Sequence, residues 1–265
     1  YFGFIAFKEK NYSVALSCFE IAKSAAAYDK LIPFYNAQIH YFTGSPEKAL
    51  STALAALKAG GQYYELPLQQ LVGRLLFAKN DFTGALPYLE KYVAKTKQPT
   101  KEDLYELSFC YFEQKKWDKA IDGFKRLTTG KDSLSQNSMY LLAKAYLEIG
   151  DKSSARTAFL FCAENNSNKV QKEVASFSVA KLSFEQGLIN EALKGLQEFT
   201  KTYPKSSYLA EATDLLVNSL ARTSNFKDGL RLYAGIKNPS ALAQKAYPSL
   251  LYGRAVELIN DQYTD

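Results

Sequence analysis

The sequence predicts an all-α protein, a solenoid of about seven helix-turn-helix repeats. Three observations predict it. A small residue recurs at Ala15, Ala49, Ala85, Ala120, Ala155, Ala192 and Gly229, with spacings of 34, 36, 35, 35, 37 and 37 residues. Apolar residues fall at three- and four-residue steps, as in LYELSFCYF (104–112) and MYLLAKAYL (139–147), which is the period of one helix face. Short polar breakers divide each repeat into two helical halves.

Each repeat reads as an antiparallel helix pair built around its small anchor. Three residues before the anchor stand Tyr12, Phe82, Trp117, Ile189 and Phe226, with Pro46 and Lys152 as departures. Four after it stand Phe19, Leu89, Phe124, Phe159, Leu196 and Tyr233, with Ala53 as the departure. Twelve before it, on the facing helix, are Gly3, Ala37, Gly73, Ser108, Ala143, Ala180 and Val217. Small anchors let two helices approach, and the residues twelve earlier are small or medium; a bulky side chain at the anchor would overpack the contact by about 1–3 kcal/mol.

Taken in order, repeat one begins part-way through its first helix and turns at Lys10-Asn11. Repeat two turns at Gly44-Ser45, just before the departing Pro46. Repeat three turns at Asn80-Asp81 and stops at Gln98-Pro99-Thr100. Repeat four starts on Thr100 with Asp103 three residues later, the pattern of a capping box, turns at Lys115-Lys116 and stops at Gly130-Lys131-Asp132-Ser133. Repeat five turns at Gly150-Asp151, and repeat six turns at Gly187-Leu188 and stops at Tyr203-Pro204-Lys205. Repeat seven turns at Ser224-Asn225 and stops at Asn238-Pro239-Ser240; its glycine anchor is expected to weaken the helix by up to about 1 kcal/mol. Repeats two and seven are therefore expected to be the most distorted. Residues 246–260 read as a further first helix, followed by a turn at Asp261-Gln262-Tyr263. Residues 1–265 are expected to form one array, and since neither end reads as a polar cap, it is expected to be a slice of a longer array or to be capped by another element.

Composition removes several function classes. With 47% apolar and 23% charged residues among 265, wholesale disorder is excluded. A net charge of +6 is mild over this length and does not demand nucleic acid. The single histidine, His40, excludes chemistry that needs two histidines in one site. No GxxxxGK or GxGxxG phosphate cradle occurs. Carboxylates such as Glu185 stand at helical spacing from lysines such as Lys181, the pattern of solvated faces. No catalytic residue, metal site or cofactor is expected. Cys18, Cys110 and Cys162 form no CxxC and read as small buried hydrophobes. No apolar run approaches the roughly 18 residues that a membrane span needs.

The segments SFCYFEQKKWDKAIDGFKRL (108–127), AKAYLEIGDKSSARTAFLFCAE (143–164) and FTKTYPKSSYLAEA (199–212) resemble the tetratricopeptide repeat family. That resemblance implies a right-handed α-solenoid whose first helices line a concave groove, with groove positions 18, 15, 11 and 8 residues before each anchor. Among those positions, the candidate groove residues are Phe34, Tyr41, Arg74, Phe77, Tyr105, Phe109, Phe112, Tyr140, Lys144, Phe177, Lys181 and Phe184. Rings interleaved with cations suit an extended or helical peptide with apolar anchors; the competing reading is that the rings pack on neighbouring repeats as core. The Lys and Asn clamp that some family members use on a chaperone's C-terminal carboxylate is absent, its positions holding Phe34, Tyr35, Gln38, Gln70 and Leu71.

The expected function is a non-catalytic scaffold for a protein or peptide partner, with no nucleic acid. One alternative is an architectural subunit that uses its convex faces. Another is an RNA-binding helical repeat, against which Glu102, Glu211 and Asp214 in the groove would repel phosphate. YPKSSY (203–208) resembles repeat proteins of the bacterial envelope, which implies a periplasmic or outer-membrane-associated place, with the cytoplasm as the alternative.

Overall fold

The computed structural model describes residues 1–262, which contain fifteen helices and no strand. The chain forms two compact units, Tyr1–Leu127 and Thr128–Asp265. The first unit holds four helix pairs: α1 (Phe2–Lys8) with α2 (Tyr12–Ala22), α3 (Ile32–Phe42) with α4 (Pro46–Ala59), α5 (Glu65–Ala78) with α6 (Phe82–Lys95), and α7 (Lys101–Glu113) with α8 (Trp117–Lys125). The second holds three pairs and a closing helix: α9 (Ser133–Glu148) with α10 (Lys152–Glu164), α11 (Lys169–Glu185) with α12 (Ile189–Thr202), α13 (Leu209–Arg222) with α14 (Phe226–Ala234), and α15 (Ala241–Gln262). Within each unit every helix packs on the next, as a helical-repeat solenoid requires.

All seven breakers turn the chain in the same way. Gly44, Gly150 and Gly187 have φ of 73°, 79° and 76°, and Lys10, Asn80, Lys115 and Ser224 have 60°, 61°, 56° and 57°. This left-handed residue lets the following amide fold back onto the carbonyl five residues earlier. Asn11 N donates to Ala6 O at 2.8 Å, Lys116 N to Tyr111 O at 2.9 Å and Asp151 N to Tyr146 O at 2.9 Å, the closure of a Schellman cap. The same residue then starts the second helix: Asn11, Asp81 and Asp151 each accept an amide N–H three residues on. Lys116 and Leu188 occupy this place without a side-chain cap.

The anchors are where the paired helices meet. Ala15, Ala49, Ala85, Ala120, Ala155 and Ala192 are fully shielded from solvent, and Gly229 is buried. The facing residues twelve earlier are buried too, and the two sides compensate for each other in size. Where the facing residue is Gly73, a Cβ would come within 2.6 Å of Leu89, so the glycine makes room for the leucine. Where it is Ala180, Gly195 lies opposite, and a Cβ there would sit 3.1 Å from that of Ala180.

Three expectations are corrected. Pro46 does not distort repeat two: it is the first residue of α4, where its missing N–H and fixed φ suit the helix start. Gly229 has a packing role, because a Cβ there would run into Leu250 of α15, and α14 remains a regular helix around it. The closing helix begins five residues before the expected start and continues through Asp261 and Gln262, where a turn was expected; Tyr263 lies outside the described residues. Thr100 and Asp103 form the expected capping box.

Candidate peptide-binding face

The first helices touch their successors within each unit, α5 with α7, α9 with α11 and α11 with α13. The candidate groove residues stand on the first helices α3, α5 and α7 of the first unit and on α9 and α11 of the second.

In the first unit the structure brings Phe77, Tyr105, Phe109 and Phe112 into one run of rings. Phe109 lies at its centre, 5.6 Å from Phe77, 5.9 Å from Tyr105 and 6.4 Å from Phe112, centroid to centroid. The run extends to the starts of the second helices, with Phe82 at 5.1 Å from Phe109 and Trp117 at 5.3 Å from Phe112. All four first-helix rings are half-buried. Phe34 belongs to a separate group, 4.5 Å from Tyr64 and 5.3 Å from Tyr35. Burial and a 3.3 Å contact between the Tyr35 and Tyr64 hydroxyls push the Tyr35 phenol up to about 12. Tyr41 is 47% exposed and lies 5.8 Å from Phe42.

Arg74 is bound within the fold. Its Nη2 donates to Asp103 Oδ1 at 2.9 Å, and its Nε lies 3.6 Å from Glu106 Oε2. Gln70 Nε2 donates to the same Asp103 oxygen at 2.7 Å, while the other oxygen accepts from the Thr100 amide and hydroxyl. Burial pushes the Asp103 pKa up, but the bonds from Gln70 and Thr100 and the Arg74 charge prevail and hold it below the ordinary range. For Glu106 burial prevails over the Arg74 charge, which lowers the pKa, and with the charges of Asp103 and Glu102 raises the carboxyl to about 7.

In the second unit Tyr140 is half-buried, 6.0 Å from Phe159, with the Lys144 ammonium 5.9 Å from its ring. Phe177 is 4% exposed, stacked on Tyr208 at 4.8 Å and packed on Phe199 at 5.4 Å, so the fold uses this ring as core. Lys181 donates to Glu211 at 2.6 Å. Phe184 is half-buried under the Arg222 guanidinium, 4.8 Å from the ring centre.

Sequence reasoning missed Glu106 and Arg222, and gave Asp103 a capping role alone. It placed Arg74 and Lys181 among the rings without their partners, which come from the next first helix, about thirty residues on. His40 is half-buried, and burial, then the Lys48 charge, hold its pKa below the usual value. Among the described residues no group of His, Cys, Asp and Glu is arranged to hold a metal, and no helix is long and apolar enough to cross a membrane.

Residues 78–162 match the family model described as anaphase-promoting complex, cyclosome, subunit 3, and residues 175–206 match the model of the tetratricopeptide repeat. No curated protein matches the sequence. The solved structure of YrrB, a TPR protein with an unusual peptide-binding site, aligns over 73% of this chain and 96% of its own, with a TM-score of 0.56 and 14% identity. Naa15/Naa10 bound to HypK-THB aligns over 98% of this chain and 41% of its own, with a TM-score of 0.56 and 17% identity. Phased repeats in the sequence, seven helix pairs with the same cap and the same small-residue contact, and the match of residues 175–206 to the repeat model support a likeness of this chain to the tetratricopeptide repeat family.

Proposed function

We propose that this chain is a non-catalytic scaffold that binds an extended or helical peptide segment along its first helices, using apolar anchors. One observation carries the reading: the run of half-buried rings from Phe77 through Phe109 to Phe112 on the first-helix face. Rings held by their neighbours offer contact area at little cost in conformational freedom, and a well-placed aromatic pair adds about 0.5–1.5 kcal/mol beyond its burial. YrrB, of like fold, has an unusual peptide-binding site, which supports the same use here.

The electrostatics favour apolar recognition. Arg74 is bound to buried Asp103 and Lys181 to exposed Glu211, so two of the three groove cations are paired within the chain. Binding should therefore depend little on salt, unlike binding to a phosphate backbone.

Selection from a library of twelve-residue peptides, followed by titration of the enriched peptides, tests this reading. Enriched peptides should carry two or more aromatic or aliphatic anchors and should lose affinity by about tenfold against Phe112→Ala or Tyr41→Ala, with Tyr41→Ala leaving the melting temperature unchanged. Peptides that are all acidic, or that bind both variants as well as the parent, would refute it.

A further inference from the structure

In the second unit, two second helices and one first helix border a cavity that none of the candidate groove residues lines. Between α10 and α12, over α11, lies a cavity of about 430 Å³, within the size range of pockets that take small ligands or side chains. Leu160 and Ala163 line it from α10, Val179 from α11 and Phe199 from α12, while Gly195 brings no side chain to the wall. Two carboxylates, Glu164 and Glu198, stand at this apolar cavity, both exposed. Neither enters an ion pair among the described residues. The one cation of the lining, Lys172, donates its ammonium to Asn166 Oδ1 at 2.7 Å, in the loop between α10 and α11. The cavity beside α6 in the first unit is smaller, about 100 Å³, and has Lys91 and Lys95 in its lining.

An apolar cavity with two exposed carboxylates in its lining matches a side chain with a methylene stem and a cationic head. We infer that the cavity between α10 and α12 takes a lysine or arginine side chain of a partner peptide, its stem on Leu160, Val179 and Phe199 and its charge at Glu164 and Glu198. This site is independent of the first-helix reading, because none of the candidate groove residues lines it.

The test uses the full ¹⁵N-labelled chain and capped tripeptides Gly-X-Gly, with X as lysine, arginine, norleucine or glutamate. Lysine and arginine peptides should shift the amides of Ser176, Gly195 and Thr202 saturably, norleucine should bind about tenfold more weakly, and glutamate should leave them unmoved. The double variant Glu164→Gln/Glu198→Gln should lower lysine affinity by about tenfold without moving the melting temperature, since both side chains are exposed. Norleucine binding as tightly as lysine, a double variant that binds unchanged, or no saturable shift would overturn the inference. So would the same amides shifting with protein concentration alone, which would assign the cavity to a second copy of the chain.

Discussion

Arg74 and Asp103 join two successive first helices through a 2.9 Å charge-assisted hydrogen bond, and the Asp103 side chain is fully shielded from water. The same carboxylate closes the capping box of α7 and accepts from Gln70. One side chain thus fixes the start of α7 and its register against α5, the preceding first helix.

Replacing Asp103 by alanine leaves Arg74, Gln70 and the Thr100 amide without their shared acceptor. The expected loss is about 2–4 kcal/mol, from the missing cap and the stranded buried donors. Asp103→Asn keeps one acceptor oxygen and should cost less. Urea unfolding checks both; equal stability of Asp103→Ala and the parent would contradict the network.

Stability should depend on pH through Glu106. Its folded pKa of about 7 lies above the ordinary value of 4.5, so the folded state holds the proton more firmly than the unfolded chain does. The stabilisation is complete below 4.5 and fades as pH rises through about 7. Glu106→Gln should flatten the melting temperature across this interval. Asp103 works in the opposite sense: with its folded pKa lowered, its contribution holds above the ordinary aspartate range and is lost as pH falls through the folded value. A Glu106→Gln profile that keeps the parent's slope between pH 4.5 and 7 would remove Glu106 as the cause.

The turns carry measurable strain. Lys115 holds φ of 56° with a side chain, a conformation that costs a non-glycine residue about 1–2 kcal/mol. Lys115→Gly should therefore stabilise by about 0.5–1 kcal/mol after the glycine's greater freedom in the unfolded chain is subtracted. Gly150→Ala, at φ of 79°, should destabilise by about 1–2 kcal/mol. Thermal melts of the two variants should move in opposite directions.

The contact within each hairpin should reject added volume. Gly73→Ala forces a Cβ to within 2.6 Å of Leu89, and Ala120→Leu inserts a branched side chain where none is exposed. Each should cost about 1–3 kcal/mol. The same alanine-to-leucine change at solvent-facing Ala59 should be nearly neutral.

The sequence made the turns legible because a left-handed residue followed by a helix start is a local requirement, met by Gly44-Ser45 as by Asn80-Asp81. The anchors were legible because the close approach of two helices recurs once per repeat and excludes large side chains. Partnership between repeats was not legible. Arg74 and Asp103 are separated by 29 positions, and Lys181 and Glu211 by 30, so no local spacing marks either pair. The burial of Phe177 was hidden for the same reason, since the ring stacked on it is Tyr208 of the following repeat. Tyr203 and Tyr208, the tyrosines of the YPKSSY stretch, are explained by packing on Phe199 and Phe177. Gly229 read as a weakness because its reason, Leu250, lies 21 residues further on.

We propose that a peptide docks on the first-helix face. Photo-crosslinking with benzoylphenylalanine in place of Tyr41 on α3 or Glu102 on α7, against Ser51 on α4 or Asp122 on α8, measures this most directly, because all four positions are exposed within one unit. A library-selected peptide should crosslink from Tyr41 and Glu102 and not from Ser51 or Asp122. Crosslinks confined to the second-helix positions would contradict it.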